Sequence, residues 1–361
     1  MSALPYLAMV GDVTTVGMCV TLVTNSLLIY ITFYHIKNIT RAYKFLIIVL
    51  AEIGLVFSIL ETFVHPFMHS YNASFAYFSI DPMFGASIQL RTALVFIYSV
   101  IYQLIIYLIA IQFVYRFWVM TGSNKVEYFH DWRILYGLGY LSLCSLFWAL
   151  ALALCLPDTY SISYLRDEFV DGYDEVIDDV PSLLFVAYVS ATYSEIICLR
   201  SQELDKNNTR TLRVNTIMSI SIFVIDLLLQ YVIILYCGVK IRAETRRLIS
   251  VTSSKKNRIQ DQLFKTLVVQ ITAPSLFYHL PAFLIILIPY FDVELSFPLG
   301  VSVCFFSVYP AIDSLILMYM VTEYRIVMRK LLAKPLQCIV ELLLKVQQSS
   351  DKTTGRPDNA G

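Results

Sequence analysis

Four acidic residues, Glu52, Glu61, Asp226 and Asp313, lie inside long apolar runs of the chain. A carboxylate in such surroundings is costly to keep, so each is a candidate for carrying a proton or cation, or for clasping neighbouring segments. At about 1.5 Å of rise per residue, Glu52 and Asp226 fall near the middle of their runs. Asp313 and Asn25 lie toward one end, and Glu61 toward the other. A network of Asn25, Glu52 and Asp313 is therefore expected to join three segments. It would act as a polar clasp, as a balance between two packings, or as a cation or proton path. Glu61 and Arg91 are expected to form a structural ion pair.

Other chemistry finds little support. The five histidines, His35, His65, His69, His130 and His279, are scattered, so no metal site is expected. There is no Gly-rich phosphate loop, Ser/His/Asp arrangement or HExxH run. Neither enzymatic activity nor a cofactor is expected.

The elements that must position these residues follow from composition. Of 361 residues, 58% are hydrophobic and only 15% charged, far from the roughly 25% charged of a soluble domain. With 27 Lys+Arg against 27 Asp+Glu, the chain has no bias toward nucleic acid, and none is expected as a partner. Runs long enough to cross a bilayer lie roughly at 9–33, 43–64, 92–118, 134–156, 214–237, 266–289 and 297–320. The expected fold is an all-α integral membrane protein, a bundle of seven transmembrane helices. The start carries no Lys or Arg and reads as retained.

An eighth run, Leu183 to Leu199, contains Glu195 and is short for a span. Charge distribution argues against it, because cations gather on the cytoplasmic side. Seven spans with the N-terminus outside place Lys37, Arg41, Lys44, Arg116, the cluster from Lys240 to Lys265, and Arg325 to Lys334 inside. An eighth span would turn the 238–265 cluster outward. The stretch 157–213 then reads as a long outer loop, strongly acidic from Asp158 to Asp179. It is expected to be solvated, the alternative being an ordered lid over a binding site.

Beyond span seven, residues 321–346 show helical amphipathicity suited to a cytoplasmic interfacial helix, and 347–361 are polar and expected to be disordered. Pro274 and Pro281 in span six and Pro310 in span seven each remove a backbone hydrogen bond, so spans six and seven are expected hinges. Arg116 ends span three, either snorkelling to the interface or locking spans three and six in a resting state. Cys155 and Cys198 are a candidate disulfide, Cys338 a candidate palmitoylation site, and Asn72 and Asn207 candidate glycosylation sites. Phe96, Tyr98 and Tyr102, with Tyr278 and His279, are the expected lining of an outer pocket, although such aromatics at helical spacing also serve as packing.

The order of these motifs resembles the nematode serpentine chemoreceptors, the group that includes the Str and Srj (class r and class j) families. The likeness runs from about residue 20 to 330. It rests on 25–30, 41–46, 65–75, Phe113 to Phe117, Tyr164 to Glu168, 236–241, Gln262 to Gln270 with Pro274 and Pro281, Tyr309 to Asp313, and Tyr324-Arg325. The resemblance implies a plasma-membrane receptor for environmental or pheromonal chemicals that activates a heterotrimeric G protein, in the cilia of chemosensory neurons. It makes Tyr115-Arg116-Phe117 the counterpart of the acidic-Arg-Tyr switch of better known receptors, and Tyr309-Pro310 through Asp313 the counterpart of their span-seven switch. This chain departs from that wider pattern in having no acid before Arg116 and no Cys at the outer end of span three. The runner-up is a proton- or ion-coupled transporter using Glu52, Asp226 and Asp313. An odorant-gated channel with its N-terminus inside is a third reading.

Overall fold

The computed structural model describes residues 4–80, 85–129, 131–190, 210–251, 255–291, 296–331 and 333. Each long apolar run is a helix: span one Leu4–Tyr34, span two Arg41–Val64, span three Ile88–Met120, span four Leu135–Ala153 and span five Val214–Val251. Span six runs from Lys255–Pro274 through a π-helical turn, Ser275–His279, into Leu280–Leu287, and span seven is Gly300–Met320. Among the described residues, six helices are long and apolar enough to cross a membrane. Span six is the exception, because the π turn divides it and its first turns carry Lys255, Lys256, Arg258 and Lys265.

Span three is the axis. From Ile105 to Phe113 every residue is buried, the signature of a helix surrounded on all sides. Span four is peripheral, with only Cys144, Ala151 and Leu152 of its described residues buried. Spans one, two and seven pack together on the other side, where small residues permit close approach. A Cβ on Gly17 would lie 2.8 Å from the Ser307 carbonyl oxygen, and one on Gly54 would lie 2.7 Å from Asn25 Nδ2 and 3.1 Å from Pro310 Cβ.

One end of the bundle is capped by a four-stranded antiparallel sheet: β1 (Phe67–Tyr71), β2 (Ser74–Phe78), β3 (Ser182–Val186) and β6 (Ser296–Pro298), in the order β3-β2-β1-β6. Two shorter strands, β4 (Tyr188–Ser190) and β5 (Arg210–Leu212), pair beside it. The hairpin turn at Asn72 has φ 46°, within reach of Asn in the left-handed region.

The sheet explains the eighth apolar run. All five residues of β2 and of β3 are buried. Phe75, Tyr77, Leu183 and Phe185 pack into the bundle, while the alternating Ala76, Phe78 and Leu184 pack the other way. A strand covered on both faces reads as a continuous apolar run. Residues 182–186 and 188–190 are thus strand rather than span, and those from 191 to 209 lie outside the described residues.

The outer cover is a helix, Thr159–Tyr173, which corrects the expectation of a solvated loop. Asp158 caps it, accepting from Ser161 N at 2.9 Å while Ser161 Oγ accepts from Asp158 N at 3.0 Å, a capping box. Asp167 and Asp171 face water, whereas Leu165, Phe169 and Tyr173 pack on Phe67, Phe78 and Leu184. Arg213 at the start of span five pairs with Asp158. Replacing Phe169 with Ala removes a fully buried ring at the centre of this layer, at about 3–5 kcal/mol. Hydrogen exchange over 158–190 is expected to accelerate while spans two, three and seven keep their protection.

At the far end, residues 322–331 form a helix after span seven. Tyr324, Val327, Met328 and Leu331 pack on the core there, and Arg329 and Lys330 are exposed.

Candidate functional site

Chemistry-bearing side chains gather at three levels along the bundle. Beneath the sheet, Tyr98 and Tyr102 of span three lie one turn apart on a face lined with rings. Tyr98 stacks on Phe57 (centroids 4.8 Å) and on Tyr77 of β2 (6.3 Å). Tyr102 lies 5.8 Å from both Phe57 and Phe306. Its hydroxyl is 3.4 Å from His279 Nε2, whose Nδ1 is 2.9 Å from the Tyr231 hydroxyl. Tyr231 in turn is 2.6 Å from Ser275 Oγ. Tyr98, Tyr102 and His279 therefore converge on one centre that joins spans three, five and six. Phe96 is a partly buried neighbour of the same core. Tyr278 lies in the π turn beside His279.

Glu61 belongs to this level. It is fully buried and accepts from Tyr98 Oη at 3.1 Å and Ser307 Oγ at 2.9 Å. The expected pair with Arg91 is not formed. Arg91 donates instead to the Asp179 carbonyl at 2.9 Å, because Glu61 sits on the inward face of span two. Burial, and then the Glu61 carboxylate, hold the Tyr77 hydroxyl well above the usual phenol range.

In the covering layer, His69 Nε2 lies 2.9 Å from Glu168 Oε1 and Nδ1 lies 2.8 Å from the Tyr173 hydroxyl. Burial lowers the His69 pKa, and the Glu168 carboxylate opposes that. A neutral ring donating from Nε2 to Glu168 and accepting at Nδ1 satisfies both partners. Ser296 of β6 donates to the same Glu168 oxygen at 2.5 Å. The cap helix is thereby fastened to two strands.

The middle level corrects the expected clasp. Asn25 donates to the Ala51 carbonyl at 3.0 Å and accepts from Ser314 Oγ at 2.6 Å, joining spans one, two and seven. Glu52 takes no part, being exposed on the outside of the bundle. Ala51 faces Asn25, and the next residue on a helix points about 100° away. Asp313 is buried near Tyr309 Oη, at 3.4 Å. Asp226 forms a separate cluster, accepting from Tyr107 Oη at 2.6 Å and Gln103 Nε2 at 3.3 Å. The residues 103 and 107, like 226 and 230, are polar groups one turn apart in apolar helices, a signal that could have been read.

Span six is interrupted by the π turn next to Pro274. Pro274 cannot donate to the Gln270 carbonyl, and the Tyr309 hydroxyl approaches that oxygen at 3.4 Å from span seven. The π turn follows at once and ends just before Pro281.

At the level farthest from the sheet, Arg116 is 3% exposed. Its Nη1 donates to Gln260 Oε1 of span six at 2.5 Å, and the guanidinium lies 4.1 Å over the Tyr43 ring. Tyr115 points elsewhere, its hydroxyl 2.6 Å from Thr40 Oγ1. Phe117 lies 6.0 Å from Tyr236 of span five. Two residues on from Gln260, Gln262 Nε2 donates to Thr322 Oγ1 at 2.8 Å, and Gln262 Oε1 accepts from Thr322 N at 3.1 Å. Span six is thus tied both to span three and to the terminal helix. Nothing in the sequence marks Gln260 as the partner of Arg116.

Cys155 carries a free thiol that donates to Ser219 Oγ at 3.0 Å, so the candidate disulfide does not form at this residue, which is buried against span five. Cys198, Asn207 and Cys338 lie outside the described residues.

A central span three, an Arg bound across to span six and a sheet-capped aromatic centre define a helix bundle of rhodopsin-like architecture. Squid rhodopsin superposes with a TM-score of 0.55 over 94% of this chain and 88% of its own, at 14% identity. The chain belongs to the Str family of serpentine seven-transmembrane G-protein-coupled chemoreceptors, whose family model matches residues 11–329. It is similar to the G-protein coupled receptor str-33 of Caenorhabditis elegans, 38% identical over 86% of this chain and 87% of that protein. It is also similar to serpentine receptor class r-10 of Caenorhabditis briggsae, 24% identical over 89% of each. It is accordingly a multi-pass membrane receptor.

Proposed function

We propose that this receptor detects a small environmental or pheromonal molecule and activates a heterotrimeric G protein at the plasma membrane of chemosensory neurons, in their cilia. The ligand would bind beneath the sheet among Tyr98, Tyr102 and His279, with the N-terminus and cap helix outside. The cation clusters 240–265 and 325–334 support that orientation. The G protein would dock at the Arg116 end, against spans three, five and six. Asn72 and Asn207 would then be available for glycosylation, and residues 321–346, with Cys338, would lie along the inner interface.

The observation that carries the reading is the Arg116–Gln260 bond, since it holds together the two spans that must separate to admit a partner. A hydrogen bond to a charged group contributes about 1.5–3 kcal/mol. Replacing Gln260 with Ala should therefore shift the resting–active balance by roughly ten- to a hundredfold. The expected result is raised ligand-independent G-protein activation at equal surface density. An N-terminal epitope stained on intact cells reports that density and the orientation together. Unchanged basal activity would refute the lock.

Transport through Glu52, Asp226 and Asp313 has weaker support. Glu52 faces outward, and the two buried acids have separate partners. Flux into liposomes is the measurement that would favour it.

A further inference from the structure

Within the sheet-end centre, Glu61 has an incomplete set of partners. Its Oε1 accepts from Tyr98 and Ser307, while Oε2, equally buried, has no hydrogen-bond partner among the described residues. Neither partner is a cation. A buried carboxyl group takes up its charge only beside a counter-charge, and one inside a membrane marks a functional site by default.

The surroundings narrow what can complete it. Phe57, one turn before Glu61 on span two, stacks with Tyr98 at 24°, and Tyr98 lies at 22° to Tyr77. The three rings form a row beside the carboxylate. Faces of aromatic rings attract an organic cation, most strongly where water is excluded. Thr14 Oγ1 lies 3.3 Å from Ser307 Oγ, so the oxygens at hand are those of Glu61, Tyr98, Ser307 and Thr14. A hard metal ion of the calcium type needs six to eight oxygens. A neutral alcohol could meet Oε2 with one hydrogen bond and a ketone, which has no donor, with none, and neither would supply a counter-charge. On the span-one side the packing is closed, with Gly17 against the Ser307 carbonyl, so the occupant is small.

We infer that Glu61, with the Phe57–Tyr98–Tyr77 row, anchors a small protonated amine, making this an amine-responsive chemoreceptor. The inference rests on the receptor reading above and gives its ligand a chemical class. The ammonium would donate to Oε2 and present its N-bound carbons to the rings.

The test uses the full-length receptor in lipid nanodiscs, titrated with methylamine, ethylamine, propylamine, trimethylamine and tetramethylammonium, and with alcohols and ketones of matching size. Binding is followed by calorimetry and by thermal shift. At least one amine is expected to bind and raise the melting temperature, with its neutral isostere roughly ten- to a hundredfold weaker. Glu61→Gln should abolish that preference, and Glu61→Asp should keep part of it. Should Glu61→Gln fail to fold, the amine-to-isostere ratio on the unmodified receptor decides. Absence of amine binding, equal binding to Glu61→Gln, or the same stabilisation by sodium chloride alone would overturn the inference. G-protein activation is measured on the same preparation. Amine binding without activation counts against the receptor reading and leaves the site intact. Activation by neutral odorants alone, indifferent to Glu61, overturns the site and leaves the receptor.

Discussion

Replacing Arg116 with Ala is expected to yield a receptor that reaches the cell surface but no longer activates a G protein when ligand binds. The guanidinium performs two tasks in the resting bundle. It donates to Gln260 at 2.5 Å and lies over Tyr43 at 4.1 Å. Its Nε has no partner among the described residues, so donors remain when span six moves away. A fixed, planar cation that can bond on several edges suits capture of a partner's carbonyl or carboxylate groups. Loss of the group should lower ligand-driven activation by about a hundredfold, the upper end of what a charged hydrogen-bonding group contributes, ~3 kcal/mol. Arg116→Lys keeps the charge but not the fork, and an intermediate response is expected. The readout is nucleotide exchange on the G protein, normalised to surface epitope. A full response from the alanine variant would show that Arg116 serves packing alone.

Gly54→Leu should produce the largest loss of folded receptor. The Cβ position already lies 2.7 Å from Asn25 Nδ2 and 3.1 Å from Pro310 Cβ. Asn25 cannot swing aside freely, because it bridges the Ala51 carbonyl and Ser314, and the proline ring is stiff. A branched side chain must therefore push spans one, two and seven apart and break the clasp at the same time. Overpacking alone costs about 1–3 kcal/mol, and each buried polar group left unpaired adds about 1–3 kcal/mol. Surface expression and the melting temperature in detergent should both fall sharply. Gly54→Ala should lie between. Normal expression of the leucine variant would mean that the three helices do not meet at Gly54.

Much of this could be read along the chain. The long apolar runs became helices, and the continuous run 183–186 became a strand buried on both faces, as its lack of alternation permits. The π turn of span six lies between Pro274 and Pro281, the two residues that mark this span in the sequence. Legibility ended at the helix faces. Glu52 points outward, and the inward position beside it belongs to Ala51. Glu61 meets Tyr98 and Ser307 and not Arg91, which lies near the same end of the neighbouring span. The acidic stretch after Asp158 looked solvated because its Leu165, Phe169 and Tyr173 face is narrow among charges.

By itself the sequence determined the long apolar segments, the position of each residue along its segment, and the asymmetry of charge between the two ends. These are properties of position along a line, read from rise per residue and from the distribution of Lys and Arg. Only the tertiary structure decided which face of each helix turns inward, and so which side chains meet. In water an apolar stripe would reveal the inner face, but lipid is as apolar as a protein core and erases that contrast. On span five, exposed Leu235 and Val239 are as apolar as buried Ile234 and Ile241. The meetings that matter, Arg116 with Gln260, Glu61 with Ser307 and Asn25 with Ser314, join residues on different spans far apart in the chain, and they exist only once the bundle has packed.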